Sequence, residues 1–377
     1  MLRSVLSPDV YLSDTVLETE KRRLFRNMWI FAGLRSTLSS RNAFLTRNIG
    51  GVPIVITSAD GQTLKAFENL CAHRKMPIQH AAFGNRSLIC PYHDWTYTAD
   101  GCLRGVPNAH LYEMRQSEKE QIKLREFAVA SIGNLIFVNL ALNPSPVESQ
   151  FTSAFLSEIT EASEHFDRVF AYSTFEVGYN WKLNFENVMD YNHVPFIHAA
   201  SFGKIMPKRE GGQKSDPVHE SITWDLDEDA RGPASLEELS FSAAGDINVP
   251  ASWYSHLIRR YKDCDAYYNW FVYPNLNFCS FAGNYFILQQ YEPISPGRTR
   301  YHLWVVTAER NNIRQDFTAL LRGLIEAEKK IIDEDCVFLE NMQQNLHSEA
   351  GSALHGAYEF RLIRAAKWYE QNILQGA

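Results

Sequence analysis

The chain has 377 residues, of which 45% are hydrophobic and 21% are charged. This composition is ordinary for a globular protein, and the length allows two domains, each with its own core. The net charge is −7 and no basic run occurs, which argues against nucleic acid as a partner. The first residues lack a long apolar segment, and no stretch holds the roughly 18 apolar residues of a membrane span, so we expect a cytoplasmic protein without membrane contact.

The first 140 or so residues are predicted to form one helix followed by β-structure. Residues 8–30 carry acidic residues early and an apolar side later, which favours an initial turn and a helix. After them, short apolar runs alternate with turn residues, as is typical of strands. Examples of these runs are 51–56, 87–90 and 135–138.

Two mixed pairs of cysteine and histidine are expected in loops between these strands. Cys71 and His73 are separated by one residue, and Cys90 and His93 are separated by two. Such paired short spacings indicate a metal site, and a zinc tetrahedron is one interpretation. Zinc fingers, however, pair Cys with Cys and His with His. Mixed pairs are what a Rieske [2Fe–2S] centre needs, because one iron takes two thiolates and the other takes two imidazoles.

The second half of the chain follows a predicted boundary at residues 143–147, which contain two prolines. The predicted elements are a helix over 151–166, a strand over 172–179, a helix from 181, strands over 267–308 and a helix over 312–346. Residues 203–250, rich in Gly, Pro, Ser and charge, are expected to be a long loop, either a lid or irregular surface. A sheet covered by helices in this way is an α+β layer.

A second candidate metal site lies after the helix that begins at residue 181. His193 and His198 are five residues apart, and Asp190 precedes them. Two imidazoles and one carboxylate can hold iron and leave coordination positions open. In a regular helix the two rings would point about 140° apart, but Pro195 should break or kink the helix between them. Two unrelated histidines near a helix end are the alternative interpretation.

Together the two motifs resemble the α subunit of the Rieske non-haem iron oxygenases, the aromatic ring-hydroxylating oxygenases, over nearly the whole chain. The segment Glu334–Gln343 resembles the part of that family that supplies the third iron ligand, which would be Asp335. The resemblance implies that His193, His198 and Asp335 bind Fe(II) and that Asp190 is a catalytic bridging carboxylate. It further implies that the two Cys–His pairs bind the [2Fe–2S] cluster.

The resemblance also implies a fold and an assembly. The expected fold is α+β, with an N-terminal β-rich Rieske domain and a helix-grip catalytic domain. The expected domains are an N-terminal helix packing on the catalytic domain (1–30), the Rieske domain (31–142) and the catalytic domain (143–377). Asp190 would contact His73 or His93 of a neighbouring subunit, which implies a head-to-tail ring and most simply a homotrimer.

The implied activity is that of a terminal oxygenase component. It would take electrons from a ferredoxin or flavin reductase, and ultimately from NAD(P)H, and use O2 to hydroxylate or demethylate an apolar, aromatic small molecule. Candidate substrate contacts are Asn187, Phe202 and Asn284. A Rieske-type electron carrier without oxygenase activity is the alternative function, although small carriers end after the cluster domain.

Two residues depart from the family pattern near the expected cluster. Lys75 and Asp94 stand where the family usually has glycine, or in the second case glycine or alanine. Neither is an expected ligand. Because both change the charge beside the cluster, we expect them to influence its potential and the docking of the electron donor.

Overall fold

The computed structural model describes residues 6–205, 232–249, 251–262, 265–348, 351–356 and 359–376. The chain divides into two compact units, Lys21–Val147 and a second unit that joins Met1–Glu20 to Glu148–Ala377. The domain limits expected from the sequence, after residues 30 and 142, remain predictions.

Eight described segments are α-helical. In chain order they are α1 (Asp9–Leu12), α2 (Asp14–Glu20), α3 (Gln116–Gln121), α4 (Ser153–Glu164), α5 (Trp181–Met189), α6 (Val194–Ile197), α7 (Thr318–Asn345) and α8 (Phe360–Tyr369). None of them combines the length and the apolar character that a bilayer crossing requires.

Fifteen strands lie in the described part of the chain. The first nine are β1 (Ile30–Leu34), β2 (Ala43–Ile49), β3 (Val52–Ser58), β4 (Lys65–Glu68), β5 (Phe83–Asn85), β6 (Thr96–Tyr97), β7 (Leu103–Gly105), β8 (Glu126–Ile132) and β9 (Leu135–Asn139). The others are β10 (Phe166–Val177), β11 (Phe241–Asp246), β12 (Ala266–Val272), β13 (Leu276–Phe281), β14 (Tyr285–Ser295) and β15 (Arg298–Ala308).

The first unit is built on an antiparallel sheet of seven strands in the order β1-β9-β8-β4-β3-β2-β5, with β6 and β7 as a separate pair. Buried side chains of this sheet, among them Phe44, Val55 and Phe67, form one core cluster with Cys71 and Cys90. The cysteine loops are therefore anchored on a packed core. The strand expected over 87–90 is reduced to a single bridge between Ile89 and Thr96.

The second unit contains a six-stranded antiparallel sheet in the order β10-β15-β14-β13-β12-β11, and helix α7 packs against β10 and β15. Together the two units confirm the expected α+β class. Helix α7 begins at Thr318, six residues after the predicted start. Most of the loop expected over 203–250 lies outside the described residues, but the prediction is wrong for 241–246, which pair with β12 as strand β11.

The inward side of α7 has an unusual composition. Leu321, Ile325, Ile332 and Leu339 form a buried stripe at spacings of four and seven residues, as expected of an amphipathic helix. Glu328 lies in the same stripe and is only 7% exposed. Carboxylates are rarely buried without a partner, so the position of this side chain requires an explanation.

The beginning of the chain is tied into the second unit by a buried carboxylate. Glu20 of α2 is fully buried and accepts hydrogen bonds from Trp181 Nε1 (3.0 Å), Lys182 Nζ (2.6 Å) and Tyr369 OH (2.5 Å). These partners belong to α5 and α8. The ion pair between Glu20 and Lys182 is thus surrounded by hydrogen-bond donors, which is the condition under which a buried charge is tolerated.

Candidate metal centres

The two cysteine loops of the first unit have the same backbone geometry. In the first, the N–H of Lys75 donates to the carbonyl of Cys71 (2.9 Å), and the N–H of Cys71 donates to the carbonyl of Met76 (2.8 Å). The second loop repeats both bonds at 3.0 and 2.9 Å with Asp94, Cys90 and Trp95 at the corresponding positions. Each loop is therefore a tight turn that starts at its cysteine and presents its histidine within the turn.

The fifth residue of each turn has a left-handed backbone. Lys75 has φ 58° and Asp94 has φ 54°, a region that favours glycine. These are the two positions where glycine is usual in the family, so the structure gives a conformational reason for that preference in addition to the change in charge expected from the sequence. Both side chains are exposed, which leaves room for them.

The four side chains of these loops fit an iron–sulfur cluster. The thiols of Cys71 and Cys90 are buried, and burial raises the pKa of Cys90. The rings of His73 and His93 have centroids 4.7 Å apart. His93 Nδ1 is buried and lacks a hydrogen-bond partner among the described residues. A buried orphan nitrogen beside two thiols matches the mixed ligand set of a Rieske centre.

A tyrosine hydroxyl supports the first cysteine. Tyr97 OH lies 3.2 Å from Cys71 Sγ and accepts a hydrogen bond from the N–H of Ala72 at 2.9 Å. Because the oxygen already accepts, its proton is available for the sulfur. Tyr97 is not among the residues predicted from the sequence, because no local pattern distinguishes a packing tyrosine from a donor.

In the second unit, a broken helix brings His193 and His198 together. Helix α5 ends at Met189, Asp190 is extended (φ −95°, ψ 97°), and α6 restarts only at Val194. The break therefore lies ahead of Pro195, which occupies the first turn of α6, where its missing N–H costs little. The two rings end with centroids 5.3 Å apart.

The third member of this site comes from α7. His193, His198 and Asp335 each offer a ligand atom, and these atoms lie within 4.8 Å of one another. Asp335 Oδ1 is 3.0 Å from His198 Nε2 and 3.6 Å from His193 Nε2. His193 Nδ1 is buried without a hydrogen-bond partner in the described part of the chain. Two imidazoles and a carboxylate oxygen converging in this way fit a mononuclear iron.

A further carboxylate faces the far nitrogen of each histidine. His198 Nδ1 lies 2.7 Å from Glu334 Oε2, which also accepts a hydrogen bond from Ser201 Oγ at 2.6 Å. His193 Nδ1 lies 3.9 Å from Asp190 Oδ2. Such partners orient metal-binding imidazoles. Sequence reasoning missed this role of Glu334, because its pairing with a residue 136 positions earlier leaves no local signal.

The electrostatics of the two histidines differ. Burial lowers the pKa of His193, although Asp335 and Asp190 act in the opposite direction. Burial also lowers the pKa of His198, but the hydrogen bonds and charges of Asp335 and Glu334 outweigh it and leave that pKa raised. The site therefore stabilises positive charge at His198.

The three residues open onto a cavity whose empty volume is about 600 Å³, a figure that includes space open to solvent. Two expected substrate contacts, Asn187 and Phe202, line it. The third, Asn284, is not among its described lining residues, and its side-chain oxygen accepts a hydrogen bond from Ser255 Oγ at 3.0 Å. Sequence reasoning missed much of the polar lining, namely Asn269, Asn277, Gln289 and Glu328.

Comparison with known proteins agrees with this geometry. A family model described as "Ring hydroxylating alpha subunit (catalytic domain)" matches residues 165–374, more than half of the chain. The chain belongs to this family. A second model, "Rieske [2Fe-2S] domain", matches residues 28–118. The resemblance seen in the motifs is thereby confirmed, as are the Rieske cluster and the mononuclear iron as cofactors and the oxygenase rather than the electron-carrier function.

Individual relatives are distant. The glycine betaine monooxygenase oxygenase subunit of Pseudomonas aeruginosa is 25% identical over 97% of this chain and 88% of the relative. The anthranilate 1,2-dioxygenase large subunit of Acinetobacter baylyi is 28% identical over 66% of this chain and 51% of the relative. The quaternary ammonium Rieske monooxygenase CntA in complex with L-carnitine has a TM-score of 0.74 and 20% identity over 99% of this chain and 96% of that one, a likeness of fold.

Proposed function

We propose that this oxygenase holds its [2Fe–2S] cluster on Cys71, His73, Cys90 and His93 and its Fe(II) on His193, His198 and Asp335. The observation that carries the second assignment is the convergence of three ligand atoms within 4.8 Å, two from the residues that flank α6 and one from α7. The first rests on two equivalent turns that bring two buried thiols and two imidazoles together. Electrons would come from a ferredoxin or flavin reductase and ultimately from NAD(P)H.

The iron, when bound, would supply O2-dependent oxidation of a carbon held beside it. The chain's own residues prepare that site. Glu334 accepts from His198 Nδ1 and so fixes the tautomer that turns Nε2 toward Asp335. Ile331 and Ile332 line the cavity next to Asp335 and limit water there.

For substrate, we favour a small molecule with an apolar, aromatic body. Phe202, Tyr267 and Phe281 line the cavity and pack on one another with ring centroids 5.1–5.4 Å apart. A flat hydrocarbon skeleton can lie against such rings. Hydroxylation, dihydroxylation and oxidative demethylation all use the same ligand set.

Asp190 is proposed as the catalytic carboxylate that connects the two metal sites across subunits of a homotrimer. It faces His193 within its own chain, and it would accept a hydrogen bond from His73 or His93 of a neighbouring subunit. Inter-subunit electron transfer is described for one relative of known structure, a quaternary ammonium Rieske monooxygenase with a TM-score of 0.75 and 20% identity. That precedent supports a path between subunits here.

Replacing His198 by Ala tests the proposed function. We expect the purified variant to keep the visible absorption and acid-labile sulfide of the cluster but to lose the mononuclear iron and all substrate-dependent O2 uptake. His256→Ala is the matched control, since His256 lies in a short turn and is not among the described lining residues of the cavity. Full iron occupancy in the His198 variant, or zinc without sulfide in the wild type, would refute the proposal.

A further inference from the structure

The cavity beside the proposed iron site has a second carboxylate in its wall. Glu328 and Asp335 are seven residues apart on α7, which is close to two helical turns, so they share one face with their backbones about 10 Å apart. Both line the cavity, and Ile331 and Ile332 line it between them. Along the helix, the cavity therefore runs from the metal ligands past an apolar stretch to a polar end at Glu328.

A chain of hydrogen bonds holds the polar end, and its donors and acceptors lead from Tyr291 through Gln289 to Glu328. Tyr291 OH donates to Gln289 Oε1 at 3.1 Å. Tyr301 OH lies 3.3 Å from the same oxygen and 3.0 Å from Asn184 Oδ1, so these two acceptors share its single proton. The amide oxygen is thus occupied, and Gln289 Nε2 donates to Glu328 Oε1 at 2.9 Å. The other carboxylate oxygen, Oε2, has no hydrogen-bond partner in the described part of the chain. Glu328 therefore retains an acceptor that the fold does not use.

The surroundings of Glu328 disfavour its negative charge. Burial, reinforced by the charge of Asp335, raises the pKa of Glu328 to about 7, against the lowering effect of the bond from Gln289. Neither Lys nor Arg occurs among the described residues that line the cavity, whereas Asp190, Glu328 and Asp335 all do. A cation that neutralises Glu328 would have to come from the ligand, and it would form a strong charge-assisted hydrogen bond.

We propose that Glu328 is a specificity-determining residue that binds the N–H of a protonated amine on the substrate, while the carbon to be oxidised lies at the His193–His198–Asp335 end. The inference rests on the proposed function, because it takes this cavity as the place of reaction. A quaternary ammonium group has no N–H to donate, so a primary, secondary or tertiary ammonium is preferred over it. The aromatic rings described above would hold the carbon skeleton.

The test compares four ligands that share one skeleton. Isothermal titration calorimetry on the anaerobic holoenzyme would use 3-phenylpropylamine, its N,N,N-trimethyl analogue, 3-phenylpropan-1-ol and 3-phenylpropanoate. We expect the amine to bind most tightly and the anion most weakly. Glu328→Gln should weaken the amine on the order of 10- to 100-fold, the range for a hydrogen bond to a charged group, and leave the alcohol nearly unchanged.

The control variant is Glu326→Gln, the same change at an exposed position of the same helix, which should bind all four ligands as the wild type does. Equal affinity of the amine for wild type and Glu328→Gln would overturn the inference, as would a wild type that fails to prefer the amine. Binding is measured without O2, so failure of the proposed function would appear separately, as missing iron or missing O2 uptake.

Discussion

The cluster site and the iron site are built in different ways. All four proposed cluster ligands lie within residues 71–93, on two turns with the same hydrogen bonds and the same left-handed fifth residue. The proposed iron ligands span residues 193–335 and come from separate elements, and a carboxylate faces the far nitrogen of each histidine. The first site is specified by local backbone conformation, and the second depends on tertiary packing. The following variants test that difference, from the largest expected effect to the smallest.

Replacing Cys90 by Ala should abolish the cluster absorption completely, because a thiolate ligand is lost, while the mononuclear iron is retained. Absorption spectra and iron analysis of the purified variant measure both. Cys102→Ala is the matched control, since this cysteine lies outside the two turns. Loss of the mononuclear iron in the Cys90 variant would show that the two sites do not form independently.

Asp190→Asn should keep both metals but reduce turnover by roughly 10- to 100-fold. This is the loss that is typical when a hydrogen-bond partner of a metal ligand is replaced. The amide can still accept the bond that Asp190 Oδ1 receives from the N–H of Asn192 at 2.9 Å, so the chain break after α5 should survive. Stopped-flow reoxidation of the reduced cluster with substrate and O2 is the measurement. Asp246→Asn, an exposed change on β11, is the control. A rate like that of the wild type, or an active monomer, would contradict the bridging role.

Glu334→Gln should weaken iron binding about 10-fold and leave the cluster unchanged, because His198 loses the anionic partner of its Nδ1–H. Iron retention during dialysis against a chelator measures this effect. The exposed Glu326→Gln serves again as control. Unchanged retention would mean that packing alone orients His198.

Tyr97→Phe should lower the reduction potential of the cluster, since a hydrogen bond to sulfur stabilises the more negative reduced state. Redox titration followed by visible spectroscopy gives the shift. Tyr92→Phe is the control, because Tyr92 is 53% exposed in the neighbouring turn. A potential unaffected by the loss of the Tyr97 hydroxyl would indicate that this group serves packing only.

The smallest effects are expected at the left-handed positions. Lys75→Gly removes a positive charge and should lower the cluster potential, and Asp94→Gly removes a negative charge and should raise it. Both side chains are exposed and screened by solvent, so the shifts should be small and should fade at high salt. The double variant should return close to the wild-type potential. Shifts in the same direction would identify backbone conformation, rather than charge, as the cause.

This contrast also explains what could be predicted from the sequence. The proposed cluster ligands follow from spacing alone, because each pair lies within one turn. His193 and His198 were suggested by their spacing, but Asp335 came only from the family resemblance, since it follows them by more than 130 residues. Glu328 did leave a signal, an acidic residue at a core position of the α7 stripe, whereas Tyr97 and Glu334 left none because their partners are set by tertiary structure.

The buried Glu20 has a consequence for the order in which the chain folds. Its partners lie 161, 162 and 349 positions later, so the second unit cannot complete this ion-pair centre until nearly the whole chain has been synthesised. The unit Lys21–Val147 is contained in the intervening loop and is finished much earlier. The entropic cost of closing a loop grows only slowly with its length. Until this loop closes, however, α2 leaves apolar surface exposed. We therefore expect newly made chains to depend on chaperones mainly during the folding of the second unit.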